Sequence, residues 1–109
     1  MSSDPEGADG SRSMETNPPA VRAEREVVLR IAQGLHARPA AKLVETAKRF
    51  AAHVVVENGE VTGSAKDLLD MLYLAATVGS VLRLRAEGPD AAAAVDALEQ
   101  LLGRLAEER

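Results

Sequence analysis

Along residues 24–109 the hydrophobic positions change period several times, and each change marks an element. Val27, Leu29 and Ile31 alternate with Glu26, Val28 and Arg30, the period-two pattern of a half-buried strand. Ala32-Gln33-Gly34-Leu35 follows as a loop. Ala40, Leu43, Val44 and Ala47 then recur at helical spacing, with Lys42, Glu45, Lys48 and Arg49 off the stripe, which predicts a helix ending near Phe50. Glu45 and Arg49 are a favourable i,i+4 pair on it. His53 to Glu57 reads as a second strand and Asn58-Gly59 as a hairpin turn. Glu60 to Ser64 is the return strand, weakened by Gly63 and suited to a sheet edge. Asp67 opens a short helix through about Leu74. Val81 to Ala86 is a fourth strand, with Leu82, Leu84 and Ala86 inward and Arg83 and Arg85 outward. Gly88-Pro89-Asp90 turns the chain and caps a long last helix. That helix buries Ala94, Val95, Leu98, Leu101, Leu102 and Leu105, and exposes Asp96, Glu99, Arg104, Glu107 and Glu108.

Four short strands with a tight hairpin, in the order βαββαβα, predict an α+β domain: one antiparallel sheet with helices on one face. The 109 residues suffice for one domain with a modest core. Aromatic residues are only 2% of the chain, so that core is built from Leu, Val and Ala, with Phe50 and Tyr73 as its largest rings. Residues 1–23 hold Ser, Gly, Asp, Glu and Pro with little to bury, and are expected to form a disordered tail before a domain spanning 24–109. Met14 is an alternative start within that tail.

Charge and composition exclude several functions. A net charge of -4 lacks the basic footprint of a nucleic-acid binder. Without cysteine, and with two histidines on different elements, no metal site is expected. No apolar run is long enough to insert in a membrane and no signal segment precedes the first strand, so a cytoplasmic protein, acting as a monomer, is expected.

The chemistry gathers at Gly34-Leu35-His36-Ala37-Arg38-Pro39-Ala40-Ala41. Proline is tolerated in a first helical turn, where backbone N–H groups have no intrahelical partner. His36 therefore stands at or next to the N-cap, where free N–H groups and the positive end of the helix dipole favour an anion, phosphate above all. A histidine there with Arg38 beside it is a candidate to carry phosphate covalently. The plainer alternative is a histidine that caps the helix weakly.

Gly34-Leu35-His36-Ala37-Arg38-Pro39-Ala40, Ala65-Lys66-Asp67-Leu68-Leu69 and Ala86-Glu87-Gly88, in this order of elements, resemble the HPr family of phosphocarrier proteins of the bacterial phosphoenolpyruvate-dependent phosphotransferase system. The resemblance covers about residues 24–107. It implies an open-faced β-sandwich, a four-stranded antiparallel sheet covered by three helices. It implies that His36 accepts a phosphoryl group from enzyme I on Nδ1 and passes it to a histidine of an EIIA domain, with Arg38 accompanying the phosphate. Such a protein forms a phosphohistidine within a relay, is not a stand-alone enzyme, and needs no cofactor. The residues suit that role, because attack on phosphorus needs a neutral imidazole and phosphoryl transfer is chiefly positioning and charge stabilisation. The family serves sugar uptake or a nitrogen-related regulatory branch, and nothing in the residues separates the two. A different alternative is a regulatory module that keeps the fold and acts by docking partners.

Leu68, Leu69, Met71, Leu72, Tyr73 and Leu74 wrap nearly all around the short helix, more than two turns can bury. The expectation is that Met71 and Leu74 face inward, while Leu68, Leu69, Leu72 and Tyr73 stay partly exposed as a partner surface. The resemblance places Leu68, Leu69 and Leu72, with Ala37 and Ala41, on the face that docks enzyme I and EIIA. It also places Asp67 where many relatives carry a regulatory serine. Aspartate cannot take that phosphate, and its first role is expected to be N-capping. His53 carries no motif and is expected to be an ordinary exposed residue.

Overall fold

The computed structural model describes residues 21–108. Its elements are β1 (Arg22–Val28), α1 (Ala37–Ala47), β2 (His53–Asn58), β3 (Val61–Ser64), α2 (Leu68–Tyr73), β4 (Val81–Glu87) and α3 (Ala91–Glu107). The strands form one antiparallel sheet in the order β1-β4-β2-β3. Strand β4 shows why one face is covered: Leu82, Leu84 and Ala86 are buried while Val81, Arg83, Arg85 and Glu87 are exposed. Opposite the helices, the open face carries an ionic ladder, with Arg22–Glu87 at 2.8 Å, Arg83–Glu26 at 3.3 Å and Arg85–Glu57 at 2.8 Å.

The core is aliphatic. Leu29, Leu43, Val54, Val56, Met71, Leu74, Leu82, Leu84, Val95 and Leu98 are its largest fully buried side chains. The expected rings are not at its centre. Phe50 packs at its margin, and Tyr73 is 77% exposed because it projects from the outer side of α2. All six residues expected to be buried by α3 are buried.

Several boundaries differ from the sequence reading. Strand β1 begins at Arg22, inside the segment expected to be tail, because Arg22 pairs with Glu87 in register and Val21 accepts a hydrogen bond from the Gly88 N–H at 2.8 Å. The rest of the expected tail, residues 1–20, lies outside the described residues. Helix α1 ends at Ala47, so Arg49 falls beyond it and no ion pair to Glu45 occurs among the described residues. The hairpin loop is Gly59-Glu60, one position later than Asn58-Gly59. Positive φ is confined there to Gly59 (62°), the form of turn that needs glycine at its first central position. Asn58 remains in the strand, and its Nδ2 donates to the Leu74 carbonyl at 2.9 Å, closing the end of α2.

Asp90 occupies the N-cap position of α3, and its carbonyl accepts from the Ala94 N–H at 2.9 Å, but its side chain does not bond that helix. Its carboxylate accepts from the Ala51 N–H at 2.9 Å and the Ala52 N–H at 2.8 Å, tying the start of α3 to the segment after α1. The Ala51 N–H chiefly holds the Asp90 carboxyl below its usual value; desolvation opposes it, and the Ala52 N–H and the charge of Lys66 assist. The lowered value means that the folded state prefers the charged form. This contribution to stability is complete above the ordinary carboxylate value and is lost as pH falls through the lower folded value. Asp90→Asn is therefore expected to lower the thermal midpoint at neutral pH, with a gap from wild type that narrows in acid. A gap that stays constant through the acid range would count against this linkage.

Candidate functional site

His36 is the N-cap of α1, with φ -90° and ψ -171°, and its ring is exposed and makes no capping hydrogen bond. Its backbone is held on both sides. Its carbonyl accepts from the Ala40 N–H at 2.9 Å and its N–H donates to the Gly34 carbonyl at 3.0 Å. The preceding Leu35 is buried and donates to the Ala76 carbonyl at 3.0 Å. Gly34 has φ 78°, and a Cβ there would stand 2.7 Å from that same carbonyl oxygen, so only glycine lets the loop lie this close. The result is a fixed backbone with a free imidazole. Pro39, third in the helix, has no N–H to offer. The Ala37 and Arg38 N–H groups remain without an intrahelical partner beside the ring.

Arg38 is exposed, and its Nη1 lies 3.0 Å from Glu108 Oε1. Both residues line a shallow cavity of about 460 Å³ together with His36, Gln33, Pro39 and Leu105. Nothing in the sequence marks Glu108 for this contact. It appears in the sequence only as one of several charges on the last helix, far along the chain from Arg38.

Helix α2 has the pattern of burial expected of it. Met71 and Leu74 are buried, while Leu68 is 41%, Leu69 65% and Leu72 37% exposed. Ala37 and Ala41 are exposed on α1, which packs against α2. Asp67 caps α2 by accepting from the Asp70 N–H at 3.0 Å, as expected. Asp70, which no motif marks, ties the helix to the sheet edge by accepting from the Ser64 N–H at 2.9 Å. His53 is exposed and pairs with Glu87, at the far end of β4 from the His36 loop. Among the described residues, no helix is long and apolar enough to cross a membrane, and no group of three or more His, Cys, Asp or Glu forms a metal site.

Behind His36 the chain is strained. Ala75 follows α2 with φ 50°, a left-handed conformation unfavourable for a residue with a Cβ. Its neighbour Ala76 supplies the carbonyl that anchors Leu35. Ala75→Gly is expected to stabilise the fold by about 0.5–1 kcal/mol, the relieved strain less the entropy cost of glycine. The midpoint should rise by a few degrees in a calorimetric scan, and a fall would show that the strain is not relieved.

Residues 23–104 match the family described as the PTS HPr component phosphorylation site. The phosphocarrier protein HPr of Treponema pallidum is 40% identical over 75 residues, covering 69% of this chain and 85% of that protein. The phosphocarrier protein NPr of Shewanella violacea is 39% identical over 77 residues, covering 71% of this chain and 85% of its own length. Among solved structures, HPr-C-His from Thermoanaerobacter tengcongensis superposes with a TM-score of 0.76 at 34% identity, covering 80% of this chain and 98% of that one. Both the sheet order with its three helices and the match across nearly all the described residues lead to one assignment: the chain belongs to the HPr family of phosphocarrier proteins.

Proposed function

We propose that His36 accepts a phosphoryl group from phospho-enzyme I and passes it to a histidine of an EIIA-type acceptor. The observation that carries this reading is the exposed, unbonded His36 ring at the start of α1, with Arg38 next to it. The lone pair of Nδ1 attacks phosphorus, a P–N bond forms, and the bond from phosphorus to the donor breaks. The dianion then lies against the free N–H groups of Ala37 and Arg38 and within reach of the Arg38 guanidinium. Charge-assisted contacts of this kind are worth about 1.5–3 kcal/mol each. The full chain, incubated with phosphoenolpyruvate and its cognate enzyme I, should gain the mass of one phosphoryl group. No gain would leave the docking-module alternative.

The sugar-uptake and nitrogen-related branches both remain open, since an NPr relative stands as near in identity as the HPr relative. The branch is decided by which purified EIIA discharges the phosphorylated chain. A cytoplasmic location follows from where those partners act.

The partner surface is assigned to Leu68, Leu69 and Leu72 with Ala37 and Ala41. A partly exposed leucine contributes little to the core, so Leu69→Glu should leave the thermal midpoint near wild type. Enzyme I affinity should fall about tenfold, from lost apolar burial and the cost of desolvating a carboxylate. Normal binding by a folded Leu69→Glu variant would move the docking surface elsewhere. A monomer is favoured because edge strand β1 is clamped to its own α3, with Arg25 held by Asp96 at 2.8 Å and by Glu99. Light scattering on the full chain reads this directly.

The role of Asp67 is capping. A regulatory serine phosphate has no acceptor at this position.

A further inference from the structure

We propose that the groove between α1 and α3 binds a small polyanion, a bisphosphate or polycarboxylate, at a site separate from His36. Helix α1 lines it with Lys42, Glu45 and Thr46, the turn after α1 adds Arg49, and α3 faces them with Gln100, Leu101 and Arg104. The space is about 330 Å³, the scale of a small-molecule site.

Its cations outnumber its free carboxylates. The arginines in ion pairs among the described residues are Arg22, Arg25, Arg38, Arg83 and Arg85, and none of the three groove cations is among the paired groups. Two carboxylates border the groove, Glu45 and Glu108, and Glu108 is engaged by Arg38. The balance favours an anion.

Thr46 adds a polar group to the lining: it is 9% exposed, and a hydroxyl reaching the groove can donate to an acceptor oxygen there.

The lining also sets the ligand class. No aromatic ring is present to stack a base. Lys42 lies in α1, Arg49 in the turn after it and Arg104 on α3, so the cations are spread over three segments and suit more than one anionic group. Two or more anionic groups on a compact frame fit.

The test is a titration of the isotope-labelled full chain with inorganic pyrophosphate and with citrate, followed by backbone amide resonances, against sodium chloride at matched ionic strength. Saturable shifts are expected at Thr46, Arg49, Gln100 and Arg104. Lys42→Gln combined with Arg104→Gln should weaken binding about tenfold or more, the scale of lost charge-assisted contacts. Thr46→Val should weaken it about threefold, and His36→Ala should leave it unchanged. Both charge changes lie at the surface, and a melting curve verifies that the variant is folded. Shifts reproduced by sodium chloride, or centred on His36 and Ala37, or indifferent to the double variant, would overturn the site.

Discussion

His36→Ala is expected to take up no phosphoryl group from enzyme I, while His53→Ala takes up one as wild type does. The reason lies in which lone pairs are available. An acceptor needs a nitrogen with an available lone pair, and the other nitrogen-bearing side chains of the His36 cavity, the Gln33 amide and the Arg38 guanidinium, have nitrogens that only donate. His53 is also exposed but lies on β2, paired with the far end of β4 and away from the free N–H groups of α1. The fold should tolerate the change, since the His36 ring bonds nothing in its own helix. A normal melting curve with no label is the expected pair of results. The label on wild type should be acid-labile, as a phosphorus–nitrogen bond requires. Label surviving in His36→Ala, or vanishing in His53→Ala, would sink the assignment.

What the sequence made legible was local. The histidine, the arginine and the proline lie within four positions, and a helix start needs no distant partner to be recognised. Strand β4 could be read for the same reason: Leu82, Leu84 and Ala86 alternate with charges, and a period of two admits one buried face. Helix α2 was harder, because its apolar residues point in every direction. That Met71 and Leu74 face inward depends on where Asp70 ties the helix to β3 and where Asn58 closes its end, and both bonds come from another element. Asp90 shows the opposite failure. An aspartate after Gly-Pro before a helix reads as that helix's cap, yet two N–H groups from the segment after α1 compete for its carboxylate and win. The first residues of β1, Arg22 and Ala23, carry no strand signal of their own and are held by pairing with Glu87 and Ala86 of β4. The Arg38–Glu108 pair is long-range in the same sense.

That pair bears on the second large effect. Arg38→Ala is expected to slow phosphoryl transfer through the protein by about 10²-fold, near 2.7 kcal/mol of barrier, the scale of losing one preorganised charge donor. In the resting state the guanidinium faces Glu108 at 3.0 Å. It must leave this carboxylate to meet a phosphoryl group on His36. Both partners are well exposed, so the pair is worth about 0–1 kcal/mol and opens at little cost. A phosphoryl dianion offers more charge and two oxygens to a planar fork, and should win the exchange. Glu108→Gln should therefore change the transfer rate less than fivefold, whereas Arg38→Lys should recover only part of the loss, because an ammonium carries the charge without the fork. Rapid-quench measurement of transfer from phospho-enzyme I, with melting curves for each variant, separates these outcomes. An unchanged rate for a folded Arg38→Ala would remove the guanidinium from the transfer step. A loss in Glu108→Gln as deep as in Arg38→Ala would mean that the carboxylate positions the arginine for transfer instead of only holding it at rest.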